Sequence, residues 1–328
     1  MTELLNKTYY FWRRNKSSFG FGALFRDVTD VKIDRPIFFL GNQGGGLTLI
    51  SRMVRRHPLA VSVTGDHTYW SGADEMQRVM VARLPAELRL AGQILGTDPP
   101  HRKFTPPRSW SYASDDLVDE YHLTEEDATE SARNQFQSLI REALYCHGQE
   151  GTVNRFVDKS QVFTLKIRYI AALLEGTHPH FVLITRNPYA ACYRAAIGKA
   201  GDMERYSSFM SLRERVEVCA QHWANSMRYA LHDGQNVEHF IHFRFEDILQ
   251  EPEPQMQEMC SFLGLDYKHD LLPAPHHEVP FGSRFRDRWY PLRPDVNEKY
   301  FDEVSDRFLD IIDERCGALA ETFGYERP

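Results

Sequence analysis

Four glycines in six positions, Gly41-Asn42-Gln43-Gly44-Gly45-Gly46, followed by Leu47-Thr48, are the residues of this chain best suited to holding a phosphate. A glycine-rich loop lets backbone N–H groups turn towards an anion, and a helix that starts at its end adds a positive dipole terminus. The setting is right for both. The apolar run Pro36-Ile37-Phe38-Phe39-Leu40 precedes the loop, and an amphipathic stretch, Leu47 to His57, follows it. The spacing fits the P-loop pattern G-x-x-x-x-G-K-[ST] at every fixed position but one, where Leu47 replaces the lysine. A bare strand-to-helix turn would need neither so many glycines nor the Thr48 hydroxyl. A dinucleotide fingerprint G-x-G-x-x-G fails, because it needs glycine at Leu49.

A nucleoside-triphosphate site also needs an acidic residue at a strand end to hold magnesium. The apolar run Phe181 to Thr185 ends instead in Arg186-Asn187-Pro188, so a cation stands where that acid is expected. The pairing of this loop with Arg186 predicts a phosphate ligand bound without a metal.

The elements that must position these residues are short runs rich in Val, Ile and Phe: Ile37 to Leu40, Ala60 to Thr64, Val153 to Val157, Phe181 to Thr185 and His239 to Phe243. Each neighbours a helical pattern, and the alternation predicts a P-loop-like doubly wound α/β fold: a parallel sheet flanked by helices. After the loop, Leu47, Ile50, Met53 and Val54 share one helix face, Arg52, Arg55 and Arg56 share much of the other, and Pro58 ends the helix. A single domain over residues 1–328 is expected, with residues 31–70 and 151–328 as the α/β core. Residues 71–150 read as a mainly helical insertion over the carboxyl edge of the sheet, capping a pocket there. In it, Thr124-Glu125-Glu126-Asp127 looks like a capping box that leads into a helix running to about Cys146. Asp247 to Leu263 is helical with early interruptions at Pro252 and Pro254, Pro273 to Pro294 is a long loop, and the last helix spans about Val296 to Phe323.

The chain has 328 residues, 42% of them hydrophobic, enough for a large core, and a net charge of -7, which argues against broad nucleic-acid binding. Its five cysteines are widely spaced and odd in number, so neither a zinc site nor a disulfide framework is suggested and a cytoplasmic location fits. The N-terminus lacks the apolar core of a signal peptide. Tyr9-Tyr10-Phe11-Trp12-Arg13-Arg14 has the composition for membrane contact, although packing of its aromatics on the domain is favoured.

Three segments in order, Gly41 to Leu49, Val182-Leu183-Ile184-Thr185-Arg186-Asn187-Pro188 and Phe245-Glu246-Asp247-Ile248-Leu249, followed by Phe262-Leu263-Gly264, resemble sulfotransferases that use PAPS, 3′-phosphoadenosine-5′-phosphosulfate. The resemblance covers roughly Pro36 to Gly324 and implies that Gln43, Gly44, Gly45, Gly46, Leu47 and Thr48 hold the 5′-phosphosulfate. It implies that Arg186 grips the 3′-phosphate, with Arg194 standing where the family often has Ser. One or more of Arg284, Arg286 and Arg288, in a late basic loop, would join it. Lys159 would sit by the transferring sulfuryl group, while Gln161 replaces the catalytic His of the cytosolic branch. His57-Pro58 through Asp66 is similar to the segment that carries the base of glycan sulfotransferases, which makes Asp66 the first choice of base and His67 its competitor. The family's loop usually carries Lys or Arg at the position of Gly44; Arg52 or Lys159 would have to cover the loss.

The implied reaction is in-line displacement at sulfur, releasing PAP, adenosine 3′,5′-bisphosphate, with no metal. The acceptor is expected to be a hydroxyl, or an amine, of a sugar, glycolipid or small natural product, lined by Trp70, Phe104, Trp110 or Tyr112. A P-loop-like nucleotide kinase and a catalytically silent nucleotide-binding scaffold are the alternatives. The first requires Mg²⁺ and ATP; the second predicts binding without turnover.

Overall fold

A run such as Ile37-Phe38-Phe39-Leu40 carries apolar side chains on both sides of its backbone, so it is stable as a strand only when both faces of its sheet are covered. The computed structural model, which describes Thr8 and residues 27–68, 74–80, 82–89, 111–198, 203, 210–275, 277 and 292–328, has that arrangement. Its strands are β1 (Ile37–Leu40), β2 (Ala60–Ser62), β3 (Gly65–Asp66), β4 (Arg155–Asp158), β5 (His180–Thr185) and β6 (His239–Arg244), and they form one six-stranded sheet in the order β3-β2-β4-β1-β5-β6. All neighbours are parallel except β2 and β3. The first strand lies centrally, between β4 and β5, so the loop after β1 opens where successive connections leave in opposite directions. Such a switch point is where open α/β sheets bind ligands.

The helices are α1 (Leu47–Arg55), α2 (Met76–Val79), α3 (Val118–Tyr121), α4 (Glu130–His147), α5 (Ile167–Leu173), α6 (Pro188–Ala196), α7 (Leu212–Gly234), α8 (Phe245–Gln250), α9 (Pro252–Leu263), α10 (Glu298–Glu303) and α11 (Asp306–Thr322). Side-chain alternation along β1 divides the core. Ile37 and Phe39 point towards α1, α8 and α9, where Leu47, Ile50, Met53, Ile248, Met256 and Leu263 are buried. Phe38 and Leu40 point the other way, into a larger cluster built on α4, α5, α6, α7 and α11. At its centre Phe38 packs on Phe136, Phe156, Phe163 and Phe181, with ring centroids 5.7–6.3 Å apart.

The five parallel strands lie where the apolar runs predict, with ends moved by one or two residues. Val153, expected to begin β4, is 53% exposed, and the strand starts at Arg155. The two residues of β3 carry no alternation and were not expected. Thr124 and Asp127 do form a reciprocal capping box, but on the 3₁₀ turn Glu125–Asp127; Thr129 caps the long helix α4. That helix packs against a sheet face through Phe136, Leu139 and Ile140. The final helical stretch is two helices, α10 and α11, broken after Glu303. No described helix is long and apolar enough to cross a membrane, and all five cysteines are free and buried.

Burial also sets an acid limit on stability. His222 is 2% exposed, edge-on to Tyr112 at 4.7 Å between ring centroids, and burial pushes its imidazole down to about 3. Burial does the same to His180 and His242, both to about 4. A folded-state value below the ordinary 6.5 means that the unfolded chain binds the proton first. The contribution is therefore complete above the unfolded pKa and is lost as pH falls from there towards the folded value. Each such histidine steepens the loss by about 1.4 kcal/mol per pH unit within that window. The unfolding free energy of the His222→Gln variant should fall less steeply between pH 6.5 and pH 4 (roughly the window these shifts define) than that of the wild type. Parallel urea-unfolding profiles would contradict the assignment.

Candidate active site

The loop after β1 turns sharply because two of its glycines adopt left-handed backbone conformations, Gly44 with φ +79° and Gly46 with φ +89°. Gly46 is the N-cap of α1 and offers no side-chain cap, and no acidic residue occupies the first turn, so the helix terminus is left for an external anion. A Cβ at Gly46 would come within 2.3 Å of the Phe245 ring. The start of the loop is pinned by Thr164, whose hydroxyl accepts from the Gly41 N–H at 2.8 Å and donates to the Gly41 carbonyl at 3.1 Å. Within the loop, the Asn42 amide donates to the Gln43 carbonyl at 3.0 Å, and the Gly45 N–H to the Asn42 carbonyl at 3.2 Å.

Arg186, at the end of β5, reaches across to this loop. Its Nη1 donates to the Gly44 carbonyl at 2.9 Å, while Nε and Nη2 both donate to Asn297 Oδ1 at 2.8 and 2.7 Å. The guanidinium lies 5.3 Å from the centroid of Phe245 and 5.8 Å from that of Tyr300. These contacts use three of its five N–H donors and leave two for a ligand. Burial pulls Arg186 down to about 10; the nearby charge of Arg194 adds to the fall and Glu246 opposes it. Glu246 holds the assembly from behind. Its Oε1 accepts from the Asn187 N–H at 2.9 Å and Asn297 Nδ2 at 2.6 Å, and Oε2 accepts from the Tyr325 hydroxyl at 3.0 Å. The pair Phe245-Glu246 thus supports both the glycine loop and the Arg186-Asn187-Pro188 turn, one from each residue. Arg194, on α6, also points to the loop, its Nη1 3.5 Å from the Gly44 carbonyl.

Lys159, just after β4, approaches the loop from the other side. Its ammonium is 3.5 Å from Thr48 Oγ1 and is held by Glu75 Oε1 at 2.5 Å and Asp74 Oδ1 at 3.1 Å. Asp74 also pairs with Arg55. Burial pushes the Asp74 carboxyl up, but Lys159 and Arg55 pull it further down, to below its ordinary value. Arg52 belongs to the same group: burial takes it down to about 10, with Asp74 and Glu75 the opposing charges. Neither Asp74 nor Glu75 was expected. They open the segment that joins the insertion to the site, where the Met76 N–H donates to Asp158 Oδ1 at 2.8 Å and the Gln77 N–H to Ser160 Oγ at 3.0 Å.

The sheet order also relocates the test for a magnesium-binding acid. The strand beside β1 on that side is β4, and it ends in Asp158. Burial raises this carboxyl to about 6, and both of its oxygens accept backbone N–H groups, from Met76 at 2.8 Å and Ser160 at 2.7 Å. Asp158 therefore staples the insertion to the sheet.

Asp66 lies on β3, and its Oδ1 accepts from the Thr68 N–H at 2.9 Å and hydroxyl at 2.6 Å. His67 follows it, half-buried. Gln161 begins a 3₁₀ turn whose backbone contact with the insertion runs through Val162 and Gln77. Tyr112 is 1% exposed, in the main core. Tyr9 to Arg14, Tyr69, Trp70, Phe104, Trp110, Arg284, Arg286 and Arg288 lie outside the described residues.

The profile of the sulfotransferase family matches residues 36–269, more than half of the chain and all of the glycine loop, Arg186 and Phe245-Glu246. The chain belongs to the sulfotransferase family. It is accordingly an enzyme of sulfuryl transfer. Among solved structures, the sulfotransferase domain of the Synechococcus PCC 7002 olefin synthase is 19% identical with a TM-score of 0.54, covering 92% of this chain and 99% of its own. The sulfotransferase STF9 from Mycobacterium avium is 14% identical with a TM-score of 0.54, covering 98% of this chain and 85% of its own. At these identities the likeness is one of fold. None of the curated proteins matches this sulfotransferase significantly. Asn297, Tyr300 and Tyr325 lie beyond the matched span, so this chain completes the seat of Arg186 with residues outside it.

Proposed function

We propose that this sulfotransferase moves a sulfuryl group from PAPS to a hydroxyl of a sugar, glycolipid or small natural product, in the cytoplasm and without a metal. The observation that carries the reading is the convergence of Arg186 and Arg194 on the carbonyl of Gly44, in a glycine loop that heads an uncapped helix. Guanidinium groups drawn to one carbonyl repel each other until an anion joins them, and a nucleotide with phosphates at both ends of its ribose supplies that anion. The loop N–H groups and the Thr48 hydroxyl hold the 5′-phosphosulfate, and the spare donors of Arg186 take the 3′-phosphate. As the acceptor oxygen bonds to sulfur, the bond from sulfur to the 5′-phosphate oxygen breaks and its electron pair leaves with PAP. Lys159 balances the charge that builds on the transferring group. Glu75, bound directly to Lys159, aims the ammonium. Asp66 takes the acceptor proton, with His67 as its competitor.

Labelled PAPS incubated with a panel of sugar and small-molecule hydroxyl acceptors tests the proposal, with appearance of PAP and of a labelled product as the expected result. Absence of transfer, with Mg²⁺-dependent phosphorylation from ATP, would favour a kinase; PAP binding without turnover on any acceptor would favour a silent scaffold. With an acceptor in hand, Asp66→Asn should lower kcat by about 100-fold and leave PAP affinity unchanged. If His67→Ala has that effect and Asp66→Asn does not, His67 is the base.

A further inference from the structure

We propose that Arg194 is the cation of the phosphosulfate loop, delivered from α6 in place of a side chain at position 44, and that it binds the 5′ end of the nucleotide rather than the 3′-phosphate. The assignment rests on the PAPS reading above. A Cβ built on Gly44 would stand 3.1 Å from Arg194 Nη1, with the Ala191 carbonyl next at 3.8 Å. The guanidinium therefore fills the space through which a basic side chain at position 44 would leave the backbone. The left-handed conformation of Gly44, φ +79°, disfavours any such side chain as well. Glycine at 44 and arginine at 194 are in this sense one feature: the charge has moved from the loop to the facing helix.

The other cations near the loop are committed elsewhere. Lys159 is bound to Glu75 and Asp74, and Arg52 lies in the field of the same two carboxylates. Arg186 is fixed by Asn297. Among the described residues Arg194 has no carboxylate within ion-pair distance, and its nearest polar contact is the Gly44 carbonyl at 3.5 Å. That carbonyl already accepts from Arg186 at 2.9 Å, so Arg194 retains nearly all of its donor capacity. A guanidinium there meets the negative charge that develops on the 5′-phosphate when the sulfur–oxygen bond breaks.

The test compares wild type, Arg194→Ser and Arg194→Lys. The probes are PAP, 5′-AMP and 3′-AMP, as competitive inhibitors of transfer from PAPS and in direct calorimetric binding. Arg194→Ser should weaken PAP and 5′-AMP by the same factor, about 10- to 100-fold, and leave 3′-AMP unchanged. Arg194→Lys should retain part of the affinity, because it keeps the charge and loses the fork. Weakening confined to PAP and 3′-AMP would place Arg194 on the 3′-phosphate and overturn the assignment while leaving the PAPS reading intact. Failure of the wild-type protein to bind PAP would overturn the PAPS reading itself, and the assignment with it.

Discussion

Arg186→Ala is expected to weaken PAP binding by about 100-fold, the loss that follows when a buried, hydrogen-bonded charge pair loses one partner at a cost of about 3 kcal/mol. The side chain is aimed before any ligand arrives. Asn297 Oδ1 takes two of its N–H groups, the Gly44 carbonyl a third, and the rings of Phe245 and Tyr300 flank it. Because Asn297 is itself held by Glu246 at 2.6 Å, the fork direction of the guanidinium is fixed by residues from distant parts of the chain. Arg186→Lys keeps the charge but not the fork, and should fall between wild type and alanine. Calorimetric titration with PAP checks both, and unchanged affinity in the alanine variant would remove Arg186 from the nucleotide site.

Lys159→Met should lower turnover on the order of 1000-fold, the scale reported for loss of one preorganised donor at a developing charge. It should also cost about 3 kcal/mol of stability, since the buried carboxylate of Asp74 and the half-buried one of Glu75 lose their shared cation. The two effects can be separated. Adding Glu75→Gln to Lys159→Met removes one of the uncompensated charges, and Arg55 still pairs with Asp74. The double variant should therefore regain much of the stability and little of the turnover. Recovery of both together would make Lys159 a structural residue only.

The sheet was legible because β1 and β5 are apolar on both faces, and a run of that kind has few other places in a protein. The glycine loop was legible for a similar reason, since its residue types serve one geometry and are wasted in most others. The rest of the site depends on contacts that local spacing does not carry. Glu246 meets Asn187, Asn297 and Tyr325 across separations of 59, 51 and 79 residues, and only the fold brings them together. Asp74 and Glu75 sit in a segment with no periodic pattern, and their role follows from the pairing of β2 with β4 that carries Lys159 alongside. Reading β5 for a magnesium-binding acid missed Asp158, because strand order is not written in the sequence; the backbone N–H groups on both Asp158 oxygens explain why an acid there serves the fold. Arg194 was visible as a departure from Ser at the matching position of the family, but its proximity to Gly44 was not. A helix spacing gives a face, and only the packed helix shows which loop the face meets.

The loop after β1 and Arg186 are proposed to form a site for a nucleotide with phosphates at both the 3′ and 5′ positions. Isothermal titration of the wild-type protein with PAP and with ATP, each in the presence of a chelator and again with Mg²⁺, tests it most directly. PAP should bind tightly, unaffected by the chelator, and much more strongly than ATP under either condition. Binding of ATP that requires Mg²⁺ and exceeds that of PAP would contradict it.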